Sequence, residues 1–395
     1  MTAGETRINY NRIQQVDKKS WILLLNKKNG ENMIIKQTPV GSLPRSVELQ
    51  SAYGAFAEGE LKRSELNRLI ENEIKDVVTV YEKIDGNPII TSGEVEKPNF
   101  LTYFLEQGFI KLGEPNPNNT KGFVIDFVGH HSREMAVLQK EQTPFKYAHY
   151  GDEWIPVLKK YSKKPFKATT VSPSAVSLMY REEIEGYSKE QFTCDLVNEC
   201  AKDIKKCVAS GAAEVGLDMT EATYAQKVDS SGKLLKEMVS LLNQVCDKLS
   251  PQELALVTLH TCFGADNFTN HNYCNYADIY PVLLHSKIKN FHFPFASLGE
   301  GEFENILTCI KENIRDKNIY LGFVSHLDKD IETPPQIAER ILLANSILGK
   351  VPGVSECCGY SPFCNDLTTT REWAFEKIRA RVAGAKLAEK KLNLK

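Results

Sequence analysis

The chain has 395 residues, 42% of them hydrophobic and 25% charged, with a formal net charge of −2. That balance is ordinary for a folded enzyme with a large core, and the interspersed charges exclude a basic nucleic-acid surface or a like-charged tail. No apolar run is long enough to span a bilayer, and the polar stretch Met1–Asn11 lacks a signal peptide's hydrophobic segment, so a cytoplasmic protein without membrane or nucleic-acid partners is expected.

Residues 1–30 are polar and weakly patterned and read as an extension ahead of a barrel spanning 31–395. Met33–Ser42 is an apolar strand ending in Val40-Gly41-Ser42, small residues that let a ligand approach the backbone. Ser64 is the expected N-cap of a long helix whose Leu66, Leu69, Ile70, Ile74, Val77, Val78, Tyr81 and Ile84 share one face. Asp85-Gly86-Asn87-Pro88 stops it. Ile89–Thr91 is a short buried strand that delivers Gly93 and Glu94. Residues 105–165 break the rhythm, with Pro115-Asn116-Pro117-Asn118-Asn119 and a strand-like 122–128, and read as an insertion after the second strand that covers one mouth of the barrel.

Regular alternation resumes with a strand at Ala168–Val171, leading to Ser172-Pro173-Ser174. Ser188 and Gln191 form a capping box for a helix whose inner face is Leu196, Val197, Cys200, Ile204, Cys207 and Val208. Strands then follow at Ala213–Met219, Leu254–Thr261, Ile288–Phe295, Ile319–Ser325 and Gly353–Cys358. Helices over 234–248, 276–286, 303–315 and 335–347 separate them, and a last helix runs from about Thr370 to Leu392. Eight strands alternating with helices predict a parallel sheet closed into a (β/α)8 barrel.

In such a barrel the reactive groups sit where strands end. Glu94 ends the second strand, Asp218 and Glu221 the fourth, His260 and Cys262 the fifth, His326 the seventh, and Cys357 and Cys358 the eighth. His-x-Cys on an extended segment puts both side chains on one face. The eighth strand lies across the mouth from the fifth, so Cys358 can face that pair. Imidazole and thiolate are preferred zinc donors, and three protein ligands leave a fourth position for a substrate. Of the ten cysteines, Cys194, Cys200, Cys207, Cys246 and Cys309 fall within predicted helices and fit the role of small hydrophobes.

Several segments resemble the catalytic half of cobalamin-independent methionine synthase, over roughly residues 35–390. They are Val40-Gly41-Ser42-Leu43-Pro44-Arg45, Ser92-Gly93-Glu94, Ser172-Pro173-Ser174, Leu259-His260-Thr261-Cys262, Cys358-Gly359-Tyr360-Ser361 and Thr369-Thr370-Arg371-Glu372-Trp373-Ala374-Phe375. The resemblance implies zinc held by His260, Cys262 and Cys358. It implies that Ser42 and Glu94 grip the amino-acid part of homocysteine, with a further carboxylate after the fourth strand that aligns to either Asp218 or Glu221. It implies His326 as a catalytic proton donor, and methyltetrahydrofolate as the default methyl donor. Where the family carries a zinc-binding Glu on the sixth strand this chain has Pro294, so either three protein ligands remain, or His292 or Cys357 substitutes, or no zinc binds. The expected function is zinc-dependent methyl transfer to a homocysteine-like thiol. The alternatives are alkyl transfer to, or C–S cleavage of, another thiol, and a non-catalytic thiol-binding barrel.

Overall fold

Short apolar runs without polar alternation are the mark of parallel strands covered on both faces. The computed structural model describes residues 34–105, 123–129, 131–135, 143–180, 183–271 and 275–394, and the expected extension at 1–30 lies outside them. In chain order, β1 (Phe123–Phe127) and β2 (His131–Met135) form an antiparallel hairpin. They are followed by β3 (Lys167–Val171), β4 (Glu214–Asp218), β5 (Val257–His260), β6 (Asn290–Pro294), β7 (Asn318–Val324) and β8 (Gly353–Glu356), which make one parallel sheet in that order. Every residue of β3 and β5 is buried, as a sheet with both faces covered requires.

Two more segments border this sheet. Gln37 bridges Val354 of β8 in parallel. There the Thr38 N–H donates to Val354 O (3.1 Å) and the Val354 N–H to Lys36 O (2.8 Å). At the opposite edge Ile90 bridges Phe166 in parallel, and the Lys167 N–H donates to Ile90 O (2.9 Å). The Leu43 N–H in turn donates to Gly93 O (2.8 Å), which ties the two bordering segments to each other. The first two expected strands are thus single bridges and not ladders. Pro39 has no N–H with which to extend the first, and Gly93 leaves extended geometry at φ 75°.

The helices are α1 (Val47–Ala57), α2 (Arg63–Glu82), α3 (Ile155–Tyr161), α4 (Pro173–Ser177), α5 (Lys189–Ala209), α6 (Glu221–Val228), α7 (Lys233–Cys246), α8 (Pro251–Ala255), α9 (Tyr276–Leu284), α10 (Phe303–Asn313), α11 (Pro334–Leu348) and α12 (Arg371–Lys391). The Ser188–Gln191 capping box opens α5 as expected. The expected N-cap at Ser64 moves to Lys62, because the Glu65 carboxylate accepts the Lys62 N–H (3.4 Å). Leu254 and Ala255 belong to α8 and not to a strand, since Ser250 and Glu253 make a capping box around Pro251. Helices α1, α3, α4 and α6 were not expected, nor was the second strand of the hairpin. No described helix is long and apolar enough to cross a membrane.

The main apolar core lies within the sheet and beneath its helices, and a second cluster gathers Tyr103, Phe104, Phe127, Phe145, Tyr180, Phe192 and Phe363. One buried ion pair spans the seam between β8 and the first bordering segment. Arg381 of α12, fully buried, donates to Glu356 (2.7 Å), to Thr38 O (3.2 Å) and to Asn87 (2.9 Å), while Glu356 also accepts the Val40 N–H (3.2 Å). Removing one partner of such a pair strands a buried charge, at a cost of about 3–5 kcal/mol. Arg381→Met is therefore expected to lower unfolding free energy by about that amount in urea titrations, and an unchanged midpoint would show that the seam does not rely on the pair.

Candidate metal centre

Parallel register sets up a row of polar side chains at the strand ends. Asp218 of β4 sits opposite His260 of β5, which sits opposite His292 of β6. His260 Nδ1–H donates to the Asp218 carboxylate at 2.6 Å, so only Nε2 remains available. That atom is buried and has no hydrogen-bond partner among the described residues. Cys262 follows two residues on, and Cys358 arrives from beyond β8, with the sulfurs 2.8 Å apart. One ring nitrogen of His260 and both sulfurs lie within 4.8 Å of one another, all buried, the only such three-donor cluster among the described residues.

The three groups reshape one another's protonation. Burial alone pushes the His260 imidazole down, but the Cys262 charge and the Asp218 hydrogen bond outweigh it and lift the group to about 10. Burial pushes Cys262 up, yet the Cys358 thiol, His260 and the Gly264 N–H (3.2 Å) hold it below the ordinary thiol range. Cys358 is pushed upward by burial and by its neighbour. One thiolate is thereby favoured beside an orphaned imidazole nitrogen. Two sulfurs and a nitrogen suit a borderline-soft ion such as zinc, and the carboxylate behind the imidazole is the usual support of a metal-bound histidine. The residues present therefore fit such an ion.

His292 and Cys357 are turned elsewhere. His292 Nε2–H donates to Glu356 O (2.6 Å), and the Cys357 thiol donates to Gly322 O (3.0 Å) while accepting the Phe295 and Ser297 N–H groups. Pro294 offers only a carbonyl, which accepts the Tyr280 hydroxyl (3.2 Å).

A cavity opens above the cluster. Ser42, Glu94, Asp218, His260 and Cys358 line it, with Phe100, Ile125, Phe127 and Phe363 as an apolar wall. Five of the expected site residues thus meet in one place. Gly41 serves this site differently from the expectation. A Cβ there would lie 2.1 Å from Glu94 Oε1, so the missing side chain makes room for the protein's own carboxylate. Gly359 makes the same room for the Ser42 hydroxyl, also at 2.1 Å. Glu94 itself has φ 52°, a costly backbone for a non-glycine residue.

Glu221 lies in an adjoining cavity that shares Ile125, Thr220 and His271 with the first. Ser172 and Ser174 both donate to its Oε1, and its Oε2 is buried without a hydrogen-bond partner among the described residues. Burial pushes this carboxyl up to about 7 against the two serines. His326 is not among the lining residues. Its Nε2–H donates to Gly264 O (3.0 Å), its Nδ1 has no hydrogen-bond partner among the described residues, and burial pushes it down to about 4.

Two site residues were not singled out in the sequence. His271 lines both cavities from the loop after β5, where no motif marks it. Arg45 closes the Leu43-Pro44-Arg45 motif. Its buried guanidinium donates to Glu94 O (2.5 Å), Lys97 O (2.7 Å), Leu43 O (3.3 Å) and Ser361 O, strapping together the three loops that carry Ser42, Glu94 and Cys358.

Fold and site together define an α/β protein with a six-stranded parallel sheet and a His–Cys–Cys donor set at its strand ends. Comparison with known proteins agrees with the sequence motifs. A 5-methyltetrahydropteroyltriglutamate–homocysteine methyltransferase of Mycolicibacterium paratuberculosis is 34% identical over 70 residues, 18% of this chain and 9% of that protein. Its counterpart in Neisseria gonorrhoeae is 34% identical over 73 residues, 18% of this chain and 10% of that protein. The match thus spans about a tenth of the length of these curated relatives. A B12-independent methionine synthase from Shewanella sp. W3-18-1, solved with selenomethionine, shares the fold with a TM-score of 0.67 at 17% identity, covering 91% of this chain and 99% of that one. No family model matches. The chain is similar to cobalamin-independent methionine synthases, by a short stretch of sequence and by its fold.

Two outcomes follow from the geometry. Asp218→Asn should weaken zinc binding about 10–100-fold in chelator competition, because Nδ1 loses its carboxylate; unaltered affinity would remove Asp218 from the metal's support. The raised Glu221 carboxyl favours the fold most below its unfolded value near 4.5 and loses that contribution as pH rises through about 7. Denaturation of wild type and Glu221→Gln from pH 4.5 to 8 should show wild type losing about 3 kcal/mol more. Parallel curves would contradict the shift.

Proposed function

We propose that this protein is a zinc-dependent methyltransferase that methylates homocysteine or a closely related thiol. The observation that carries the reading is the His260–Cys262–Cys358 cluster opening into a cavity that also holds Ser42 and Glu94. The bordering segments at Gln37 and Ile90 are read as the first two strands of a closed (β/α)8 barrel, supported by their parallel bridges and the Leu43–Gly93 hydrogen bond. The β1–β2 hairpin is read as part of an insertion over its mouth, since Ile125 and Phe127 face the cavity.

His260, Cys262 and Cys358 would hold zinc, which when bound lowers a thiol's pKa and supplies a nucleophilic sulfur at neutral pH. Asp218 engages Nδ1–H of His260, so Nε2 is the atom that would bind the metal in exchange for its proton. Glu94 offers a carboxylate to the substrate ammonium, and Ser42 offers a hydroxyl and backbone N–H to its carboxylate. Glu221, with its unpaired Oε2, is a second receptor for the ammonium and answers that need better than Asp218, whose carboxylate is engaged with His260. Phe100, Phe127 and Phe363 exclude water and leave an apolar face for the donor's methyl-bearing end, with methyltetrahydrofolate as the donor the curated relatives' names suggest. Their fixed placement would hold acceptor and donor in line. His326 reaches the site through Gly264, a position from which it steadies the Cys262 loop. Its neutral imidazole is a proton donor only through Nε2–H, so the expected proton-donor role requires that the Gly264 bond break.

The test is metal analysis with assay. The purified protein should carry about one zinc per chain and methylate homocysteine from methyltetrahydrofolate, and Cys262→Ser should lose both. A folded protein that takes up no zinc would overturn the reading, and zinc without transfer would move it to another thiol or donor.

A further inference from the structure

A third cavity shares no lining residue with the first two. Its walls include Arg63, Tyr103, His149, Glu153 and Trp154, and Glu96 lies among them. Glu96 is 7% exposed. Its Oε1 accepts the Ser92 hydroxyl (3.0 Å), but its buried Oε2 has no hydrogen-bond partner among the described residues. The neighbouring Lys97 does not satisfy it, because that ammonium is bound to Thr169 O (2.9 Å) and Oγ1 (2.7 Å). A buried carboxylate oxygen left without a donor is costly, and a cationic donor repays most.

The surroundings suit such a donor. The Trp154 side chain brings aromatic surface that attracts cations, beside a Tyr103 ring that is stacked on His149 (centroids 5.2 Å apart) and already has the Lys97 ammonium 5.9 Å from its centre. Glu153, bonded to the Tyr103 hydroxyl (3.1 Å) and to His149 (3.0 Å), adds a second carboxylate nearer the solvent. Burial pushes the Glu96 carboxyl up, against the opposing pull of the nearby Lys97 charge. The site is also close to the first in bonding terms. The Ser92 hydroxyl that holds Glu96 also accepts the Glu94 N–H (3.1 Å).

We propose that this cavity binds an organic ammonium ion, with Glu96 as its anchor. Two sources carry that group: a simple diamine, or an amino acid whose carboxylate meets Arg63 at the rim. Calorimetric titration of the full chain with 1,4-diaminobutane and with ornithine, the same diamine bearing a carboxylate, separates them. At least one should bind saturably at one site, and Glu96→Gln should weaken it at least about tenfold. Preference for ornithine, lost in Arg63→Gln, assigns the amino-acid source; equal binding assigns the simple amine. Should Glu96→Gln fail to fold, Asn67→Arg, which adds a cation at the exposed rim, should weaken binding similarly. No saturable binding of either probe, or binding unmoved by these changes, overturns the proposal. The titration needs neither metal nor thiol, so it stands or falls apart from the methyltransferase reading.

Discussion

The site depends on one hydrogen bond, between Asp218 and His260 at 2.6 Å. It exists because β4 and β5 are parallel and in register at their last residues. A one-residue slip would turn one of the two side chains to the sheet's other face and undo the pair. The bond commits Nδ1 to Asp218, and so leaves Nε2 as the nitrogen a metal could take. The arrangement of the cysteines follows from the same strand ends: Cys262 by period-two alternation from His260, and Cys358 by crossing from β8.

Around this bond the protein tolerates several locally unfavourable features. Glu94 takes a left-handed backbone, Gly41 and Gly359 give up side chains to let Glu94 and Ser42 approach, and Arg45 spends its guanidinium on backbone carbonyls of three loops. Each lowers local stability or removes an option, and together they bring polar groups from segments far apart in the chain to one cavity. Local rules broken in concert at one place are what a functional site looks like.

Much of this was legible in the sequence. The alternation of short strands with amphipathic helices from β3 to β8 and the Ser188–Gln191 cap carry their own signals, and His-x-Cys at a strand end points to a metal once the strand is recognised. What was not legible has physical causes. The two bordering segments look like strands in composition but are cut short by Pro39 and by the turn at Gly93. Helix α1 begins just after its N-cap Ser46, whose capping of the Leu49 N–H (3.2 Å) stands out only when the turn before it is known. His271 and Arg45 act through contacts between distant segments, which no local pattern encodes. The assignment of Asp218 and Glu221 needed coordinates too: one is engaged with His260, the other keeps a free oxygen.

The most direct test of the central claim is zinc K-edge X-ray absorption on the purified protein before and after homocysteine is added. The account predicts a first shell of two sulfurs at about 2.3 Å and one nitrogen at about 2.0–2.1 Å, joined by a third sulfur when the thiol binds. A shell built only of oxygen and nitrogen, or one that the thiol leaves unchanged, would contradict it.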